Sequence, residues 1–97
     1  MPAYIVADIT PQDRDAYEKY RTLAAVAIEK YDGRYLVRGG KFEVFEGDWT
    51  PNIMIVLEFP DLDKARAWYN SPEYAEALQF RDQGLARNMI LVEGMRQ

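Results

Sequence analysis

Cysteine and histidine are both absent from the 97 residues, and the two gaps remove whole kinds of chemistry. No disulfide, thiolate nucleophile, Cys/His zinc site or Ser/His/Asp triad can be assembled from this chain. A metal could be held only by oxygen ligands, so neither a metal nor an organic cofactor is expected. Positive charge is also scarce. Twelve Lys and Arg stand against sixteen Asp and Glu, giving a net charge of −4 with no basic block. A nucleic-acid partner is therefore not expected, since such binding rests on clustered cations that neutralise phosphates. The longest apolar run is far short of the roughly 20 residues that cross a bilayer. "MPAYIVADI" at the start has neither a basic region nor a small-residue cleavage site. The expectation is a cytoplasmic protein with no membrane partner.

What is present suits a folded chain. Hydrophobic residues make up 48% and charged residues 29%, ordinary values for a globular protein. The length predicts a single domain over residues 1–97. A domain this small buries only about 60 to 65% of the surface its unfolded chain exposes, so its core is thin.

Local patterns then give an order of elements. "AYIVADI", Ala3 to Ile9, reads as a strand. "TPQD" reads as a helix start, with Thr10 as cap, Pro11 in the first turn and Asp13 at the positive end. Tyr17, Tyr20, Ala24, Ala27, Ile28 and Tyr31 recur at helical spacing up to Asp32-Gly33. "RYLVRGG" and "KFEVFEG" are two strand-like pieces divided at Gly39-Gly40, where a bulge, bend or hairpin is expected. "GDWTP" turns into the strand "NIMIVLEF". Asp61 caps "LDKARAWY", and Ser71-Pro72 restarts a second helical piece, "PEYAEALQFRDQ", stopped by Gly84. "NMILVEG" is the last strand. The resulting β-α-β-β-α-β order is the ferredoxin-like arrangement, an α+β fold with both helices on one face of a four-stranded antiparallel sheet.

One-sided cover predicts strands that alternate apolar and polar residues. These do not. Ile53, Ile55, Leu57 and Phe59 can face the helices, but Met54 and Val56 then lie on the other face, as do Tyr4 and Val6 of the first strand. The last strand is likewise apolar on both sides, with Met89 and Leu91 on one and Ile90 and Val92 on the other. Large apolar faces are rarely left in water, and the commonest cover is a second copy related by two-fold symmetry. The expectation is a homodimer whose two sheets pack face to face.

"VRGG" at Val37 to Gly40, "EGDW" at Glu46 to Trp49, "EF" at Glu58-Phe59, "AWYNSPEY" at Ala67 to Tyr74, Arg81 and "LVEG" at Leu91 to Gly94 together resemble the domain of unknown function family DUF1330. The resemblance runs over essentially the whole chain. It implies the dimeric α/β barrel superfamily, whose members include cofactor-free monooxygenases acting on phenols, haem-degrading monooxygenases and muconolactone isomerase. A haem role is disfavoured because the histidine used as axial ligand is missing. The family brings no agreed catalytic residues to carry over.

Two constellations stand out as candidate sites. Glu58 interrupts an otherwise apolar strand. It reads as a strand-end charge where the sheet meets solvent, as a structural ion pair with Arg38 at the barrel mouth, or as a general base in an apolar cavity with Arg38 stabilising negative charge. Trp68, Tyr69 and Tyr74 cluster at a helix break, with Arg81 two turns after Tyr74. Phenols and a guanidinium suit a small aromatic or carboxylate ligand, although aromatics at a break also serve as core packing. Ser71 reads as a cap rather than a nucleophile, having no histidine to deprotonate it. Two classes of function are left: a cofactor-free enzyme transferring protons or oxygen on a small aromatic or keto acid, and a non-catalytic dimeric binding or stress-associated module.

Overall fold

A computed structural model describes residues 1–95; positions 96 and 97 of the expected domain lie outside the described residues. The chain runs β1 (Ala3–Pro11), α1 (Arg14–Lys30), β2 (Arg34–Arg38), β3 (Ile53–Phe59), α2 (Leu62–Tyr69), α3 (Pro72–Leu78), α4 (Arg81–Gly84) and β4 (Leu85–Glu93). The strands form one antiparallel sheet in the order β2-β3-β1-β4. Each strand thus follows the expected ferredoxin-like plan.

The core lies between this sheet and the helices. Ala3, Ile5, Ala7 and Ile9 of β1 and Leu57 and Phe59 of β3 are buried, against Tyr20, Ala24, Ala27 and Ile28 of α1 and Trp68 and Tyr74 of α2 and α3. The small residues on α1 let it lie close to the strands, and the large rings fill what the short helices leave. The alternate residues, Tyr4, Val6, Asp8, Met54, Val56 and Glu58, are only partly covered. Ile90 and Val92 on the same face are exposed. The helices cover one side of the sheet, and the molecule measures 16 Å along its shortest axis.

Four local expectations are corrected. Thr10 does not cap α1, because Thr10 and Pro11 continue β1 opposite Ala86 and Leu85 of β4. The cap is Asp13, whose Oδ1 accepts the Ala16 N–H at 3.0 Å. "KFEVFEG" forms no strand. Gly39 donates its N–H to the Met54 carbonyl at 2.8 Å and then, at φ +72°, turns the chain away, so that the fourteen residues 39–52 leave the sheet before β3 begins. "PEYAEALQFRDQ" is two helices rather than one, broken at Gln79-Phe80. β4 begins at Leu85, three residues before the expected Asn88.

Asp61 and Ser71 cap as their positions suggest. The Asp61 carboxylate accepts the Lys64 N–H at 2.8 Å, and the buried Ser71 hydroxyl accepts the Tyr74 N–H at 3.0 Å while donating to the Trp68 carbonyl at 2.7 Å. That single hydroxyl ties the end of α2 to the start of α3 and fixes where Trp68 and Tyr74 point.

Gly84 is held by packing. A Cβ there would come within 2.9 Å of the Tyr17 backbone nitrogen and 3.0 Å of the Ala16 carbonyl carbon. Backbone does not yield as a flexible side chain does, so Gly84→Ala is expected to cost about 1–3 kcal/mol. Urea unfolding should show a lowered midpoint at unchanged slope. An unchanged midpoint would mean that α4 does not press on α1.

Candidate functional site

Between α1, β2 and the sheet lies a cavity of about 40 Å³ whose polar lining is Tyr17, Tyr20, Arg21, Tyr35, Arg38 and Trp68. Its floor is aliphatic, with Ile5, Ile55 and Leu57. Arg21 and Arg38 are exposed, so the cavity meets solvent where α1 faces the edge strand β2. Each guanidinium rests near an aromatic ring: Arg38 lies 4.5 Å from the centre of Tyr35, and Arg21 lies 5.8 Å from that of Tyr17. Such contacts are worth about 0.5–1 kcal/mol at exposed sites, little enough to be given up to a better partner. Arg21 also reaches Glu18 at 3.1 Å, whereas Arg38 has no carboxylate partner among the described residues.

Behind this mouth the aromatic cluster anticipated at the helix break is formed. The Trp68 and Tyr74 rings are 4.4 Å apart, and Tyr69 stands 5.6 Å from Tyr74. Tyr20, from α1, brings its hydroxyl to 2.6 Å from that of Tyr74. Each phenol owns one proton. When one donates to the other, the second proton has no acceptor among the described residues. The buried indole N–H of Trp68 has none either. A buried donor left unpaired costs about 1–3 kcal/mol, so two such donors in one apolar region are an observation that asks for a partner.

Burial raises the pKa of Tyr20, Tyr35 and Tyr74 above the ordinary 10.0, because it disfavours the phenolate. The neighbouring Tyr74 phenol pushes Tyr20 further up. For Tyr74, the hydrogen bond with Tyr20 and the charges of Arg87 and Arg81 pull the other way but do not overcome burial. These groups are neutral donors through the physiological range.

The sequence-derived candidates divide. Trp68 and Tyr74 sit buried at the heart of the cluster. Tyr69, 42% exposed, lines an open cleft together with Arg81 and Arg87, and Arg81 is also held by the adjacent Asp82 at 3.1 Å. Glu58 and Arg38 are not brought together. In the register, Arg34 is opposite Glu58 while Arg38 is opposite Ile55, which puts the two on opposite faces of the sheet. A bulge between Tyr35 and Val37 produces this outcome by shifting the later residues by one. Glu58 instead pairs with Arg34 at 2.6 Å, beside an open cleft that Asp32 and Pro60 help to line. The reading of Arg38 as its partner is corrected accordingly. Among the described residues, no carboxylate lines the inner cavity. Sequence reasoning did not single out Tyr17, Arg21 and Tyr35 as site residues: Tyr17 shares the helical spacing of Tyr20 and Tyr31, which packing explains equally well, and neither Arg21 nor Tyr35 carries a local signal.

The sheet order and one-sided helices define this as a ferredoxin-like α+β protein. It belongs to the DUF1330 family, a domain of unknown function whose model matches residues 2–95. Among solved structures, a protein of unknown function from Rhodopseudomonas palustris is 16% identical, with 99% of this chain and 84% of that one covered and a TM-score of 0.78. A dimeric ferredoxin-like protein of unknown function from Bacteroides fragilis is 17% identical, with 96% of each chain covered and a TM-score of 0.66. A cofactor-independent oxygenase from Streptomyces nogalater is 12% identical, covering 99% of this chain and 95% of its own, with a TM-score of 0.64. Likeness at this level concerns the fold. No functionally curated protein matches the sequence.

The phenol pair carries a pH signature. Because the folded pKa lies above the unfolded one, the native state keeps protons that the unfolded chain releases. The stability this contributes is whole below about pH 10 and is lost as the pH climbs beyond it. Among the tyrosines that burial or hydrogen bonding pushes up, Tyr20 is raised furthest and is expected to ionise last. An alkaline absorbance titration should therefore lose its latest step in Tyr20→Phe. A late step that persists in that variant would show the phenol pair to be misplaced.

Proposed function

We propose that this protein binds a small planar hydrogen-bond acceptor, a single-ring aromatic carboxylate or phenolate, between α1, β2 and the sheet. The observation that carries this reading is the surplus of donors. Trp68 N–H and one proton of the Tyr20–Tyr74 pair are unspent, and Arg38 at the mouth has no carboxylate of its own. An acceptor anion answers all three, with its ring against Trp68, Tyr35 and the aliphatic floor and its charge held by Arg38 and Arg21. The void of about 40 Å³ is too small for a ring, since ligand pockets run from about 300 Å³ upward. Binding on this reading lifts Arg38 and Arg21 from Tyr35 and Tyr17 and moves the edge strand outward.

The partner on this reading is a second copy, which covers the face bearing Tyr4, Val6, Val56, Ile90 and Val92. Support comes from the exposure of Ile90 and Val92 and from structural relatives described as dimeric, in Bacteroides fragilis and Thermobifida fusca. Glu58 belongs to that covered face, where its pairing with Arg34 suits a structural role better than that of a general base.

A second reading, oxygenation without a cofactor, is favoured by the two guanidinium groups at the mouth and by the likeness to the Streptomyces nogalater oxygenase. Positive charge at the mouth favours the ionised form of a bound phenol, and a phenolate supplies its own electrons to oxygen. The conversion of a phenol and O₂ to a quinone and water balances with no outside reductant.

Thermal unfolding with benzoate, salicylate and hydroxybenzoates tests the binding reading. A ligand at about ten times its Kd adds roughly 1.4 kcal/mol, which is a rise of about 6 °C for a chain of this size. Arg38→Gln is expected to weaken binding about tenfold or more, and equal binding by wild type and variant would refute the assignment. For the second reading, oxygen consumption on adding a monophenol such as 1-naphthol should exceed the protein-free rate, yield quinone without hydrogen peroxide, and fall in Arg38→Gln. A rate equal to autoxidation would end it.

A further inference from the structure

Residues 39–52, which leave the sheet after β2, carry the most conspicuous exposed apolar side chains of the described residues. Phe45 is 88% and Trp49 59% exposed, and Phe42 and Val44 are exposed as well. The segment is nevertheless rooted in place. Trp49 Nε1 donates to Asp8 Oδ2 at 2.9 Å, the Asn52 N–H donates to Asp8 Oδ1 at 3.0 Å, and Asn52 Nδ2 donates to the Thr10 hydroxyl at 2.8 Å. Asp8 points away from the buried Ala7 and Ile9, so the arm stands on the side of the sheet that the helices leave open.

Two further observations bear on what this arm meets. Its sequence, "KFEVFE" over residues 41–46, is rich in strand-forming residues but has no partner strand among the described residues. On the opposite edge of the sheet, β4 pairs among the described residues only with β1, so its outer backbone groups have no strand partner there, and beside them Ile90 (59%) and Val92 stand exposed. An unpaired edge next to uncovered apolar side chains is a template for an added strand.

A stable interface takes about 800 Å² of accessible surface per partner. The open face is four strands wide, and the fourteen residues of the arm add their own surface to it in each copy.

We infer that residues 39–52 form an exchange arm: in the homodimer each copy lays the stretch 41–46 as a strand along β4 of the other, placing Phe42 and Val44 over the partner's Ile90 and Val92. The inference rests on the homodimer proposed above and adds to it the element that closes the interface. Gly39 serves as the hinge, since its left-handed backbone directs the chain off its own sheet.

The absence of cysteine makes the test direct. Chains carrying Val44→Cys or Phe42→Cys, each mixed with a differently tagged chain carrying Ile90→Cys, are oxidised and resolved by size, alongside sedimentation of the unmodified protein over a range of concentrations. The expected result is a dimer in sedimentation and disulfide-linked pairs containing one chain of each tag. A dimer with no arm-to-β4 cross-link in either mixture overturns the arm and leaves the homodimer standing, and a monomer at every concentration overturns both. Phe42→Ser, at a position exposed in the single chain and on the arm face laid over the partner, should keep the far-ultraviolet spectrum and weaken the dimer about tenfold or more. An unchanged dimer constant would count against the arm.

Discussion

Helices cover one face of the sheet, and the rest of the molecule answers to that constraint. On the covered face the packing is dense: Leu57, Phe59, Trp68 and Tyr74 are the largest fully buried side chains, and alanines at Ala3, Ala7, Ala24 and Ala27 bring helix and strand close. On the other face the same strands present Val6, Met54, Val56, Ile90 and Val92, and no helix lies over them. A sheet whose residues are apolar on both faces is stable in water only when both are covered. The thin shape, 16 Å through its shortest axis, follows from the same cause.

Where helices this short meet a sheet this wide, aromatic rings fill the space that aliphatic side chains leave. The break between α2 and α3 is what lets them do so. The Ser71 hydroxyl satisfies the backbone at both helix ends and turns Trp68 and Tyr74 toward α1, where Tyr20 completes the phenol pair. Large rings bring polar tips with them. Tyr31 spends its hydroxyl on Glu73, at 2.9 Å, next to the ion pair of Glu73 with Lys30. The donors of Trp68 and of the Tyr20–Tyr74 pair are not all spent, and this difference separates a packing cluster from a candidate ligand site.

The charged residues sort by face. Arg38 and Arg21 stand at the entrance on the helix side, resting near Tyr35 and Tyr17, while Arg34 and Glu58 neutralise each other on the open side. One irregularity in β2 decides this sorting, because a single-residue shift in a strand exchanges its faces. An acidic side chain in the inner cavity would have consumed the arginine charge. With none there among the described residues, Arg38 keeps its charge at the cavity mouth while Arg21 shares its own with Glu18, in a chain whose net charge is −4.

Much of this was legible in the residues. The order of strands and helices, the caps at Asp61 and Ser71, the stop at Gly84 and the two-faced apolar strands all follow from local preference and periodicity, which act over a few neighbouring residues. The aromatic cluster at "WYNSPEY" was legible as a cluster, though not as one joined to Tyr20, which lies 54 positions from Tyr74. Tertiary structure alone decided that Thr10 and Pro11 remain in β1, since β4 reaches far enough to pair with them, and that "KFEVFE" has no strand to join within its own chain. It also decided that Glu58 meets Arg34 and not Arg38. Register across strands is fixed by pairing between distant segments and by a bulge, and no local pattern of residues encodes which side chain will stand opposite which.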